Sequence, residues 1–180
     1  MTPKLTLVLG GARSGKSTFA QQLAGKSNGK VLYIATARIL DDEMERRVAL
    51  HRASRPPSWT TLELPEKITT GLTDIQGVYD VILLDCVTML LNESFLSLPE
   101  DADEIEMTES SEVAIEDLIS AIQLHSSPWI LVSNEVGMGI VPETLMGRVF
   151  RDVQGRANQR LAAMADEVFF LTAGIPMKIK

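Results

Sequence analysis

Three groups of residues in this 180-residue chain have types and spacings that could do chemistry. The first is Gly10-Gly11-Ala12-Arg13-Ser14-Gly15-Lys16-Ser17, which fills every position of the phosphate-loop pattern G-x-x-x-x-G-K-[ST]. Glycines let such a loop wrap a phosphate with backbone N–H groups, and the following helix N-terminus adds partial positive charge. Lys16 can reach the terminal phosphates, and the Ser17 hydroxyl can bind Mg²⁺. The second is Asp85, an acid closing the apolar run Val81-Ile82-Leu83-Leu84. A carboxylate at the end of a buried strand beside a phosphate loop would help to hold the same Mg²⁺. The third is His51, with Arg47, Arg52 and Arg55 around it near the end of a helical stretch. The residues alone leave two readings of His51. It can be a surface residue near a helix C-terminus. It can also be a covalent nucleophile, with the arginines binding phosphates and stabilising charge during phosphoryl or nucleotidyl transfer.

The elements that must position these groups alternate. Leu5 to Leu9 reads as a strand, and Ser17 to Ala24 as the start of a helix. Val31 to Ala35 reads as a second strand, so the chain opens β–α–β with parallel strands. Ala35-Thr36-Ala37 falls at a strand's carboxyl end, where ligands of such sheets bind, and would approach the loop if the two strands are neighbours. Asp41 to Ser54 reads as a helix with acids at its start, Met44 and Val48 (with Leu50 or Ala49) toward the core, and Pro56-Pro57 at its end. Trp59 to Leu64 suggests a short strand stopped by Pro65; Glu63 on it is either solvated or an acceptor for a base or ribose. Residues 66–77 suggest a short helix and a turn at Gly77. Cys86 reads as a small buried residue.

The stretch from Asn92 to Glu112, and within it the acidic residues 98–109, has no period and reads as a solvated loop or mobile insertion. A helix is expected from Glu112 to an exposed His125. Trp129 to Ser133 is another buried strand, followed by Asn134-Glu135 and a glycine-containing stretch that suits either an active-site loop or a structural turn. Glu143 to Asp166 reads as one helix or two, with Gly147 and Gly155 as interruptions, before a strand at Val168 to Leu171.

Composition bounds the function. Hydrophobic residues are 45% and charged residues 23%, enough for a core in a single α/β domain spanning 1–180. The net charge of −7 argues against a nucleic-acid binder. Cys86 is the only cysteine, which fits a reducing compartment. There is neither a signal-peptide core nor an apolar run of membrane-spanning length, so a cytoplasmic protein without membrane insertion is expected. From these features alone, a P-loop small-molecule kinase that leaves His51 silent is the simplest enzyme.

Several stretches taken in order resemble one family. They are Gly10 to Ser17, Tyr33 to Ala37, Asp41 to Met44, His51 with Arg55-Pro56, Trp59 to Glu63, Leu83 to Thr88, Val132 to Pro142, Phe150 to Asp152 and Gly155 to Gln159. Together they resemble the bifunctional adenosylcobinamide kinase / adenosylcobinamide-phosphate guanylyltransferase family of cobalamin biosynthesis, over nearly the whole chain. The resemblance implies a RecA-like P-loop NTPase fold, with a mostly parallel sheet flanked by helices, assembled as a homotrimer. It implies phosphorylation of adenosylcobinamide by ATP or GTP. Transfer of GMP from GTP to adenosylcobinamide phosphate would follow, through a GMP-histidine that falls on His51. The family's GTP contacts fall on Gly10, Gly11, Ala12, Arg13, Ser14, Gly15, Lys16, Ser17, Ala35, Thr36, Ala37, Arg52, Ala53, Ser54, Arg55, Glu63 and Asp85. Lys16 would act with His51 in catalysis, Ser17 and Asp85 would hold Mg²⁺, and Glu135 and Asp85 are candidates for the kinase base. Some members carry two adjacent histidines; here Leu50 precedes His51. The acidic residues 98–109 match no family feature.

Overall fold

The computed structural model describes residues 4–27, 29–38, 42–53, 55–63, 67–73, 75 and 77–180, with backbone alone for Glu43, Met44 and Arg47. The expected roles of Asp41, Ser54 and Pro65 therefore lie outside the described residues. In chain order the elements are β1 (Leu5–Gly10), α1 (Lys16–Gly25), β2 (Val31–Ala35), α2 (Asp42–Ala53), β3 (Thr60–Glu63), α3 (Ile68–Thr73) and β4 (Val81–Asp85). They continue with α4 (Val87–Leu96), α5 (Glu104–Leu124), β5 (Trp129–Asn134), α6 (Leu145–Met164), β6 (Glu167–Thr172) and β7 (Ile175–Lys178).

The strands form one sheet in the order β3-β2-β4-β5-β1-β6-β7, parallel throughout except for the terminal β6–β7 hairpin. The central strands β1, β2, β4 and β5 are near-continuous Val, Leu and Ile because both of their faces are covered. One face packs Leu7, Ile34, Leu84 and Leu131 against α3, α4, α5 and α6. The other packs Val8, Tyr33, Leu83 and Val132 against Ala20 and Ala24 of α1. Period-2 alternation along each strand sends successive side chains to these two layers. All the strand ends that carry candidate chemistry emerge on the same, carboxyl, edge.

The structure changes some sequence expectations and decides others that were left open. β1 and β2 are not neighbours; β5 and β4 lie between them. The acidic stretch is not a free loop: Asp103 accepts from the N–H groups of Ile105 and Glu106, Glu106 accepts in return from Asp103 N–H, and α5 starts at Glu104. That reciprocal capping box, with acids in the first turn where the helix dipole favours them, turns a charge run into a helix start. The glycines at 147 and 155 do not divide α6, which runs unbroken to Met164 from an N-cap at Thr144. On α2, Val48 is the only described side chain that is not exposed, and Ala49 and Leu50 are exposed, Leu50 at 72%, so neither of those two faces the core, while the Met44 side chain lies outside the described residues. Two further elements, α4 and β7, had no counterpart in the sequence reading. His125 is the C-cap of α5, half-buried with its ring edge-on to Trp129 at 6.5 Å.

Candidate active site

The phosphate loop joins β1 to α1 and is held in shape by its glycines. Gly15, at φ 95°, takes a left-handed conformation that L side chains rarely adopt. At Gly10 a Cβ would stand 2.5 Å from the Leu171 carbonyl oxygen and 2.7 Å from Ser14 Oγ. The β6–β7 turn closes on the loop, with Gly174 N–H donating to Ser14 O at 3.0 Å. Lys16 begins α1 with its side chain folded over the loop, Nζ donating to Gly11 O at 2.6 Å. Burial lowers its pKa, opposed by the nearby Cys86 and Asp85.

Above the loop opens a cleft of about 440 Å³. Ala12, Arg13, Ser14, Gly15, Lys16 and Ser17 form one wall, with Ala35, Ala37 and Asp85 on the strand ends. His51 and Arg55 face them from α2 and the turn after it, and Glu63 comes from β3. Strands that are not adjacent thus still meet at one site, because their carboxyl ends share an edge. Gly10 and Gly11 form the base of the loop away from the wall. Thr36 is fully buried: its hydroxyl donates to Cys86 O and accepts from Cys86 N–H, both at 2.7 Å, so it ties the ends of β2 and β4 together. Arg52 does not line the cleft; it pairs with Glu63 at 2.7 Å, both side chains exposed. Ala53 is exposed and also lies off the cleft wall. Cys86 lines the cleft rather than packing away from it, and burial pushes its thiol up to about 12, with Asp85 adding to the shift. Of the two kinase-base candidates, Asp85 is on the wall, whereas Glu135 is off it and accepts from Gly137 N–H at 2.6 Å.

Some site residues were not foreseen. Tyr33, almost fully buried, donates its hydroxyl to Asp85 Oδ2 at 2.8 Å. Burial first and Asp85 second raise its pKa, so it stays a donor. The Arg55 guanidinium lies over the Tyr33 ring at 3.6 Å, and Trp59 stacks on the same ring at 6.4 Å. Arg55 Nε and Nη1 and Ser14 Oγ are buried and meet no hydrogen-bond partner among the described residues. Buried donor atoms of a guanidinium and a buried hydroxyl that meet no partner among the described residues, at a cleft wall, suit a polyanion. Only the strand register, which pairs Ala35 with Asp85, brings Tyr33 within reach of that acid.

The family described as cobinamide kinase / cobinamide phosphate guanyltransferase matches residues 6–179. The chain belongs to this family. It is 46% identical over 181 aligned residues to the bifunctional adenosylcobalamin biosynthesis protein CobU of Salmonella typhimurium, covering 98% of this chain and 99% of that one. It is 44% identical to the protein of the same name from Escherichia coli, with the same coverage. Against the bifunctional adenosylcobalamin biosynthesis protein CobP of Pseudomonas aeruginosa the identity is 39%, over 97% of this chain and 96% of that one. As a member of the cobinamide kinase / guanylyltransferase family it is an enzyme with both activities, in adenosylcobalamin biosynthesis. The kinase-only reading is thereby set aside. Among the described residues, no helix is long and apolar enough to cross a membrane.

Proposed function

We propose that the single cleft above the phosphate loop carries both reactions, the loop holding the triphosphate in each. The observation that supports this is the shared wall: Lys16, Asp85 and His51 line the same cleft. In the kinase step the adenosylcobinamide hydroxyl oxygen would bond to the γ-phosphorus of ATP or GTP. The bond from that phosphorus to the β,γ-bridging oxygen breaks, the nucleoside diphosphate leaves, and the hydroxyl proton is released. Asp85, on the wall, is the better placed base candidate. In the guanylyl step an imidazole nitrogen of His51 would bond to the α-phosphorus of GTP and pyrophosphate would leave. The phosphate oxygen of adenosylcobinamide phosphate then bonds to that phosphorus, the P–N bond breaks, and His51 is restored. Arg55 would neutralise phosphate charge, and Lys16 would orient the terminal phosphates.

The donor set suits Mg²⁺. Ser17 and Asp85 offer oxygens on the cleft wall, and no cluster of three His, Cys, Asp or Glu occurs among the described residues. A hard cation held by one or two protein oxygens and completed by phosphates and water is the expected arrangement. Held by Ser17 and Asp85, Mg²⁺ would supply neutralisation of the triphosphate's negative charge. Ala35, Ala37 and Glu63 complete the reading as nucleotide contacts, while Thr36, buried and off the cleft wall, would act only by fixing the strand ends. A cytoplasmic homotrimer is part of the same proposal; its mass in solution would be three times 19.7 kDa.

The test is incubation with α-labelled GTP and Mg²⁺. An acid-labile label on His51, discharged by adenosylcobinamide phosphate, is expected. Label that persists in His51→Ala would overturn the assignment.

A further inference from the structure

Strand β5 lies between β1, which runs into the phosphate loop, and β4, which ends in Asp85. Its last residue, Asn134, stands opposite Gly10 in the β1 register, and Val132 stands opposite Asp85. Asn134 is thus carried past Asp85 to the edge between the loop and the acid, where it lines the cleft.

Its backbone is fixed from three directions. The Asn134 N–H donates to Thr88 Oγ1 at 2.9 Å, and its carbonyl accepts from Asn158 Nδ2 at 3.0 Å. The next N–H, of Glu135, donates to Gly10 O at 3.0 Å. Asn158 is itself held: its Oδ1 accepts from Ser133 Oγ at 2.7 Å and from Gln154 Nε2 at 3.1 Å, and Gln154 Nε2 also donates to Ser133 Oγ at 3.0 Å. Ser133 and Gln154 are fully buried, and Asn158 and Thr88 nearly so. Gln154 Oε1 meets no partner among the described residues, but the remaining bonds of this buried network restrict where the Asn134 backbone can sit. Yet the Asn134 carboxamide has no hydrogen-bond partner of its own among the described residues. The neighbouring groups hold still a residue that lines the cleft and whose side chain has no hydrogen-bond partner among the described residues.

We propose that Asn134 is a catalytic residue of the kinase step. Its carboxamide N–H donates to a non-bridging oxygen of the γ-phosphoryl group during transfer, and Thr88, Asn158 and Gln154 are the positioning residues that aim it. A neutral donor suits this place. It stabilises charge spread over the γ-oxygens without the tight grip of a second cation, and it is pre-oriented, so little reorganisation is needed during transfer. The γ-phosphorus passes from the β,γ-bridging oxygen to the cobinamide hydroxyl oxygen, with the diphosphate leaving and the hydroxyl proton released. In guanylyl transfer the γ-phosphoryl group leaves intact within pyrophosphate, so Asn134 matters less there. This inference rests on the phosphate-loop cleft being the nucleotide site.

The experiment compares γ-labelled and α-labelled GTP as donors for Asn134→Ala, Asn158→Leu and Lys16→Ala. Removing one preorganised donor costs about 10²–10³-fold in kcat in comparable sites. Asn134→Ala should lose about that much in γ-transfer, with KM for GTP within about threefold and α-transfer within about tenfold of the parent. Its melting temperature should be that of the parent, since the side chain has no hydrogen-bond partner among the described residues. Asn158→Leu should lower γ-transfer and melting temperature together, which separates aiming from contact. Asn134→Ala with γ-transfer within threefold of the parent, or with equal losses in both transfers, overturns the proposal. Should Lys16→Ala retain full activity, the site reading itself falls and takes the proposal with it. Should Lys16→Ala fail while Asn134→Ala matches the parent, the Asn134 assignment alone falls.

Discussion

Replacing Thr36 by valine isolates the hydrogen bonds that join the nucleotide-side ends of β2 and β4. Thr36 is fully buried, and valine keeps its shape, so the change removes the hydroxyl and little else. That hydroxyl makes two bonds of 2.7 Å, donating to Cys86 O and accepting from Cys86 N–H. The Cys86 carbonyl keeps a second partner in Leu90 N–H at 3.1 Å, so its loss is the ordinary net value of one hydrogen bond, about 0.5–1.5 kcal/mol. The Cys86 N–H is left without its acceptor, and an orphaned buried donor costs about 1–3 kcal/mol. The sum is roughly 1.5–4.5 kcal/mol, trimmed slightly by the added methyl. For a chain of this length, about 2–4 °C of melting temperature follows each kcal/mol, so a fall of roughly 3–18 °C is expected. Urea denaturation followed by circular dichroism should show the lower midpoint with an unchanged slope. Thr36→Ser, which keeps both bonds and loses one methyl, should cost only about 1 kcal/mol. If the valine variant lies within about 0.5 kcal/mol of the parent, or the serine variant is as damaged as the valine one, the tie between the strands does not contribute as argued.

Two further outcomes follow from titrating groups. With its thiol raised to about 12, Cys86 should react with iodoacetamide at pH 8 roughly 10³-fold more slowly in the native protein than in urea, where an ordinary thiol returns; a native rate within tenfold of the unfolded one would contradict this. Hydrogen bonds from Lys178 at 2.7 Å and from Lys4 at 2.9 Å hold Glu167 down at about 2, below its usual 4.5. A depressed carboxyl contributes stability that is fully present above about pH 4.5 and is lost as pH falls through about 2. Both lysines are more than half exposed, so the contribution is about 1 kcal/mol or less. The stability gap between the parent and Glu167→Gln should therefore be seen at pH 6 and close by pH 2; a gap independent of pH would count against the ion pairs.

The chemistry was more legible than the packing. The loop at Gly10 to Ser17 and the acid at Asp85 were readable because each is a contiguous pattern whose local backbone sets its geometry. The central strands were readable because a sheet covered on both faces demands unbroken apolar runs. What escaped depends on register and order. Nothing local says that β5 and β4 lie between β1 and β2, so the approach of Ala35 to the loop could be stated only on the condition of adjacent strands, and the Tyr33–Asp85 bond was not foreseen. The acidic residues from Asp103 were misjudged because charge density was weighed above the D-x-x-E spacing that caps a helix. Whether Gly147 and Gly155 divide the last helix was left open, because glycine's helix propensity opposes them while a packed face can outweigh it; α6 runs through both, with a buried face that includes Val149, Val153, Ala157 and Leu161.

The central claim is that one loop serves transfer at two phosphorus atoms while His51 serves one of them. Its most direct measurement is of γ-phosphate transfer to adenosylcobinamide and GMP transfer to adenosylcobinamide phosphate, side by side, in Lys16→Ala and His51→Ala. Lys16→Ala should lose both by about 10²-fold or more. His51→Ala should lose GMP transfer to background and keep kinase turnover within about tenfold of the parent. GMP transfer surviving in His51→Ala, or kinase turnover surviving in Lys16→Ala, would contradict the account.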